Sequence, residues 1–176
     1  MDNDDLLLLA GGILLLGAVG LATGVLSMPG SQPWESLPNW STWSGTLEAA
    51  ESQYGLPSGL LSAVAYQESG FQSAVIDGTQ ASSAGALGMM QLEPAYFTSV
   101  AVPVPFSSSD VAAQIDQAGQ YLAQLYAQFG DWPDALAAYN AGPGTVQNVQ
   151  TGAASALPAE TQAYVAAITA NVPAAA

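Results

Sequence analysis

The sequence predicts a mainly α-helical domain behind a single N-terminal transmembrane helix. Three observations predict it. Leu6 to Leu26 form one uncharged apolar run. Beyond Ser44, apolar residues recur at steps of three and four, between proline openings and glycine stops. Strand-like alternation is scarce, and only 73–80 and 100–106 leave room for a short extended piece.

The elements follow in chain order. Residues 1–5, MDNDD, read as an acidic tail. The run from Leu6 to Leu26 holds twenty-one residues. At a helical rise of about 1.5 Å they span about 31 Å, the depth of a bilayer core of about 30 Å. Residues 6–27 are therefore expected as a transmembrane helix in contact with the lipid bilayer. A cleaved signal peptide fits less well, because the start is acidic, the run is long and no clear A-x-A site follows. A buried core helix is the third reading. Gly20 and Gly24 form a GxxxG pattern open to helix–helix association. Orientation is unreadable, since the positive-inside rule counts Lys and Arg.

Residues 28–43 are rich in Pro, Ser and Trp and read as a linker, with Trp34, Trp40 and Trp43 at the lipid interface or packed on the domain. The domain proper is expected over 44–172. Ser44 is expected to cap a helix through Leu47, Ala50 and Glu51 to Tyr54, stopped by Gly55. Pro57 suits the first turn of a second helix running to about Glu68. A Gly/Ser-rich stretch follows, then a short helix opened by Pro94. The strongest periodicity covers about 110–129: Val111, Ile115, Ala118, Leu122, Leu125 and Phe129. Asp131 is placed to cap a helix with Pro133 in its first turn, ending near Asn140 and Gly142. Pro158 opens a last helix through Tyr164, Val165 and Ile168, and 173–176 read as a disordered tail.

Composition limits the chemistry sharply. Of 176 residues none is Lys, Arg, His or Cys, against fourteen Asp and Glu, for a formal charge of −14. An average chain carries about 25% charged residues; this one carries 8%. A Ser-His-Asp triad, a Cys nucleophile, a Schiff-base lysine, a P-loop lysine and an arginine finger are all excluded. Disulfides and Cys/His zinc sites go with them. Nucleic acid is not an expected partner, because no side-chain cation can displace counterions from phosphates. Chemistry is left to carboxylates, hydroxyls, amides, backbone groups or a hard metal ion.

Four segments then stand out. In YQESGF, Glu68 lies where an apolar helix meets a Gly-bearing loop, a place where partial desolvation raises a carboxyl pKa and suits a general acid. An ordinary surface acid is the plainer reading. In SSAGALGMMQLEP, Gly85 and Gly88 can bring backbone donors and Gln91 to a neutral polar ligand. Alone, a glycine-rich loop feeding Met89, Met90 and Leu92 into the core explains it as well. In ALAAYNAGPG, Tyr139 and Asn140 project a hydroxyl and an amide from a helix end, where Pro143 also blocks continuation. In LPAETQAYV, Glu160 and Tyr164 sit one turn apart, equally readable as a helix-start acid and a core tyrosine.

The order of these four segments resembles one family. From about Ser44 to Val172 the chain is similar to the soluble lytic transglycosylase domain, a lysozyme-like fold that cleaves peptidoglycan. The family pattern ES-x-F is matched by Glu68, Ser69 and Phe71; S-x-x-G-A-x-G-L-M-Q by Ser82, Gly85, Ala86, Gly88, Met90 and Gln91. A-Y-N-A-G-P-G is matched by Ala138 to Gly144, and the proline-led E-T-x-x-Y-V by Glu160, Thr161, Tyr164 and Val165. The departures are Met89 for Leu, Glu93 where relatives carry an apolar residue, and a longer stretch between Glu68 and Gln91, with IDGTQAS as the extra material.

The resemblance implies Glu68 as the single catalytic acid/base. It implies Gln91, Tyr139 and Asn140 as holders of the sugar, Ser82 as a hydrogen-bonding group around the glutamate, and Glu160 with Tyr164 as cleft-shaping residues. It implies a glycan strand of peptidoglycan as partner, with no cofactor and no metal. The implied reaction forms a 1,6-anhydro sugar with help from the substrate's acetamide, one of the exceptions to the two-carboxylate rule. Two other functions stay open: a hydrolytic muramidase using Asp77 or Glu93 as base, and a non-catalytic peptidoglycan-binding module. The expected setting is a membrane, with the domain facing a cell wall, in a bacterial envelope or a phage virion.

Overall fold

The computed structural model describes residues 31–82, 85–92 and 104–176. The expected anchor at 6–27, its Gly20/Gly24 contact, Glu93 and the helix opened by Pro94 lie outside the described residues. Among the described residues no helix is long and apolar enough to cross a membrane. They also contain no strand; the nearest approach is an isolated antiparallel bridge between Leu87 and Leu92.

Seven helices and a terminal 3-10 turn make up the described chain: α1 (Pro38–Tyr54), α2 (Leu60–Ser69), α3 (Ser73–Ile76), α4 (Ser108–Phe129), α5 (Trp132–Ala141), α6 (Pro143–Gln150), α7 (Ala159–Asn171) and the turn Pro173–Ala175. Helix α4 is the backbone of the packing and lies against α1, α2 and α5, while α7 packs on α2 and α5. Its buried stripe includes Val111, Ile115, Ala118, Leu122 and Leu125, five of the six residues the periodicity selects; the sixth, Phe129, is only partly buried. A reciprocal capping box starts it: Asp110 N–H donates to Ser107 Oγ at 3.3 Å and Ser107 N–H to Asp110 Oδ2 at 2.7 Å. Gly119 on this stripe lets Tyr54 of α1 approach, for a Cβ there would lie 2.8 Å from the tyrosine ring.

Several boundaries differ from the sequence reading. Helix α1 begins at Pro38 rather than Ser44, because proline at the first helical position needs no amide partner. The stretch expected as a linker therefore belongs to the fold from Trp34 onward. Trp34 is only 2% exposed and its ring lies 5.8 Å from Tyr66, while Trp40 donates to Ser62 Oγ at 3.3 Å. Of the two placements weighed for these tryptophans, packing on the domain is the one observed. Pro57 stands in the turn before α2, which begins at Leu60 behind a left-handed Gly59. Asp131 caps α5 by accepting from Asp134 N–H at 2.8 Å. Pro143 does block α5, but it also opens α6, a helix the sequence reading did not contain. Residues 73–80 fold as a short helix and turn rather than an extended piece. The tail expected to be disordered forms the 3-10 turn, with Ala175 fully buried.

The main core gathers Leu47, Leu60, Leu61, Val64, Met89, Met90, Ile115, Leu122, Leu136 and Ile168. A smaller cluster under α5 and α6 contains Leu125, Ala135, Ala137, Ala138 and Val146. Helix α2 runs through the main core with Leu60 to Ala65 buried, so its last turn is held in place by packing on several sides.

Candidate active site

Glu68 sits in that last turn, half-buried. Gly70 and Phe71 follow it, both with left-handed backbone at φ 55° and 53°. For phenylalanine this conformation is strained by about 1 kcal/mol or more. Its ring is buried, and its carbonyl accepts from Asn39 Nδ2 at 2.8 Å, so packing and a long-range bond hold the bend. Ser69 closes the helix end by donating to Ala65 carbonyl at 2.8 Å.

Two influences act on the Glu68 carboxyl. Burial raises it, and a hydrogen bond from Tyr164 hydroxyl to Oε1 at 2.7 Å lowers it. Burial wins, and the pKa is pushed up to about 7. The tyrosine is delivered by α7, 96 residues away in sequence. Burial and the neighbouring Glu68 charge push the Tyr164 and Tyr139 phenols well above their ordinary value, so both remain hydrogen-bond donors across the neutral range.

The loop 85–92 is joined to this region through Tyr139. Met89 and Met90 are wholly buried and pin the turn. Gly88, at φ 82°, is required here: a Cβ would run into the Gln114 carboxamide of α4. Gln91 takes a left-handed backbone at φ 47° and its Nε2 donates to Gly88 carbonyl at 2.8 Å. Its Oε1 is buried with no protein hydrogen bond. Tyr139 donates to Met90 carbonyl at 2.9 Å, which ties α5 to the loop next to Glu68.

The remaining expected residues have other contacts. Ser82 does not bond the glutamate among its described contacts. Its Oγ accepts from Ala86 N–H at 2.9 Å and its own N–H donates to Ala86 carbonyl at 2.9 Å, so it closes the entry to the loop. Asn140 is 7% exposed and its Oδ1 accepts from Thr161 Oγ1 at 2.8 Å, which joins α5 to α7. That oxygen therefore serves the fold through this bond. Glu160 is exposed on the first turn of α7 while Tyr164, one turn on, is buried. Asp77, weighed as a hydrolytic base, closes a turn through one oxygen: Thr79 N–H and Oγ1 both donate to its Oδ1, at 2.9 and 2.6 Å. No group of three or more Asp or Glu among the described residues gathers as a metal site.

Three contributors escaped the sequence reading. Glu51 is 4% exposed, and its two oxygens accept from Gly59 N–H and Leu61 N–H at 2.8 Å each. It holds the start of the helix that carries Glu68. Gln114 backs Gly88, and its place three residues after Val111 on the α4 stripe was a readable signal of burial. Thr161 was visible only as a motif letter.

The family model for the transglycosylase SLT domain matches residues 45–161. The chain belongs to that family. Its fold is similar to the X-ray structure of an inactive Glu-to-Gln mutant of the lytic transglycosylase Slt from Pseudomonas aeruginosa, with a TM-score of 0.57 and 29% identity. The similarity covers 73% of this chain and 23% of the Pseudomonas protein, so the SLT chain described here spans under a quarter of that relative.

Proposed function

We propose that this SLT domain is a peptidoglycan lytic transglycosylase, held at a membrane by residues 6–27, that cleaves the β-1,4 bond between N-acetylmuramic acid and N-acetylglucosamine. The observation that carries the reading is the Glu68 carboxyl, pushed up to about 7 by burial and bonded by one phenol. Such a carboxyl is protonated in a useful fraction at neutral pH and can return as a base. Its supporters are neutral: Gln91, Tyr139 and Tyr164. The relative named above carries the same enzymatic description, and a Glu-to-Gln change makes it inactive.

In this mechanism Glu68 protonates the glycosidic oxygen as the bond to C1 of the muramic acid breaks. The substrate's acetamido oxygen bonds to C1 and forms an oxazolinium-like intermediate. Glu68, now a carboxylate, takes the proton from the C6 hydroxyl, whose oxygen displaces the acetamide at C1. A 1,6-anhydro ring results, and the carboxyl is protonated again. The cycle uses one carboxyl and no water.

The proposed location is a bacterial envelope or a membrane-containing phage virion, with the domain facing the wall. The charge of −14 and the lack of any Lys, Arg or His suit a protein kept from nucleic acid. The deciding experiment is mass spectrometry of products from purified peptidoglycan. Wild type is expected to release 1,6-anhydro ends and Glu68→Gln to release none; reducing ends would identify a hydrolase, and cleavage by Glu68→Gln would overturn the assignment of Glu68.

A further inference from the structure

A depression lies beyond the Glu68 turn, between the first half of α1, the Asp77 turn and the start of α4. It encloses about 210 Å³ and is lined chiefly by Asn39, Trp43, Ser73, Asp77, Phe106 and Ser108. None of these residues serves the chemistry described above. The Asp77–Thr79 turn belongs to the extra material between Glu68 and Gln91. Its position is nevertheless built with care. Phe106 N–H donates to Asp77 carbonyl at 2.8 Å, and Gly78, at φ 74°, lies so close under Phe106 that a Cβ would meet its ring at 2.6 Å.

The hydrogen-bond inventory says what such a groove recognises. Both Asn39 N–H groups are committed, to Phe71 carbonyl at 2.8 Å and Ser73 Oγ at 3.0 Å, which leaves its Oδ1 as an acceptor. Asp77 Oδ1 is taken by Thr79, which leaves Oδ2. The same bonds hold the Asp77 carboxyl below its ordinary range, so it is anionic at neutral pH. Trp43 and Phe106 add two aromatic rings whose faces attract cations. No cationic side chain exists anywhere in the chain to neutralise the site from within. Acceptor oxygens, one fixed negative charge and aromatic rings call for a ligand that is cationic and rich in N–H.

We propose that this groove binds a primary ammonium group carried on an apolar stem, the side-chain amine of a diamino acid in the peptide portion of the wall polymer. The identity of the polymer rests on the lytic transglycosylase reading; the recognition of the amine does not. Asn39 links the groove directly to Phe71, three residues from Glu68. A polymer seated on both would gain from the second contact as an intramolecular event, so even a millimolar site raises occupancy at Glu68.

The test is a titration of the full chain, isotope-labelled in zwitterionic detergent micelles, with Nα-acetyl-lysine amide, followed by amide chemical shifts. Its Nε-acetylated form is the neutral control. Saturable shifts are expected at residues 39–43, 73–79 and 106–111, with none from the control. Asp77→Asn keeps the oxygen that Thr79 bonds and is expected to weaken binding about fivefold. Ser108→Lys, at an exposed lining position, is expected to compete from within and abolish the shifts. Glu68→Gln should stop product release yet leave the titration unchanged, so a failure of the catalytic reading and of this one look different. Shifts that do not saturate, equal shifts from the acetylated control, or undiminished binding by Asp77→Asn would overturn the proposal.

Discussion

Helix α2 has a desolvated carboxyl at each end, Glu51 buried and Glu68 half-buried, and the two are treated in opposite ways. At its start, Glu51 reaches across from α1 and accepts from the N–H groups of Gly59 and Leu61. Helix-start amides have no intrahelical partner, and the helix dipole favours an anion there. At its end Glu68 has one phenol, and the dipole there opposes a negative charge. Burial raises both carboxyls; backbone donors pull Glu51 back, while Glu68 remains near 7. A carboxyl bonded by several backbone amides is a structural anchor. One with a single neutral partner, at the wrong end of a dipole, keeps a raised pKa suited to proton transfer.

The largest expected effect breaks the active end alone. Glu68→Gln should lower turnover on peptidoglycan by about 10³-fold, the scale of a lost general acid and base. The same substitution should make the protein more stable at pH 8. With its folded pKa raised from 4.5 to about 7, Glu68 favours folding when protonated. That contribution is complete below about pH 4.5 and is lost as pH rises through 7, a swing of about 3 kcal/mol. Thermal unfolding of wild type and Glu68→Gln should therefore agree at pH 4 and diverge at pH 8, with the variant melting higher. Wild-type kcat/KM should fall above pH 7 as the acid form is lost. Equal melting at both values would show that Glu68 is not desolvated.

Breaking the other end should have the converse signature. Glu51→Ala strands the buried Leu61 N–H and the Gly59 N–H and opens a cavity, at a cost of about 3 kcal/mol in denaturant unfolding. The pH at which activity falls should stay near that of wild type, because Glu51 does not act on the Glu68 carboxyl. A sizeable shift would mean that the two ends are coupled through α2. Tyr164→Phe sharpens the active end: it removes the one bond that lowers Glu68. Turnover should drop about tenfold, and the limb above pH 7 should move upward. A downward movement would contradict the assigned direction of the bond.

The contrast between the two carboxyls also marks what the sequence makes legible. Motif order points to Glu68, and the four-and-three spacing of Val111 to Leu125 locates α4 within a few residues. These are local signals. Nothing local reveals that Tyr164 meets Glu68 across 96 residues, or that the Asn140 oxygen accepts from Thr161. Glu51 reads as one more helix acid, since its burial follows from where α2 starts. Pro143 reads as a stop and acts as both stop and start. Trp34 is ambiguous in sequence because a Pro/Ser/Trp stretch suits a membrane linker and a packed N-terminal arm equally well. Packing partners decide between them.

Gln114 carries the comparison to its limit. Glu51 has a full set of partners and Glu68 has one, whereas both side-chain polar atoms of Gln114 are buried with no protein hydrogen bond. It stands where α4 backs Gly88, the turn that presents Gln91. Removing a buried polar group without partners recovers its desolvation cost, and an apolar residue of similar length keeps the volume. Gln114→Met should therefore leave stability unchanged or raise it by about 1 kcal/mol, the smallest effect predicted here. If the amide only fills space, KM and kcat on peptidoglycan should follow wild type. If it steadies the Gly88 turn, kcat should fall with KM preserved, because Gln91 would be misplaced only as the transition state demands its oxygen. A loss of 2 kcal/mol or more in denaturant unfolding would show that the amide is bonded in solution, and the ranking of the three buried groups by their partners would fail at its last member.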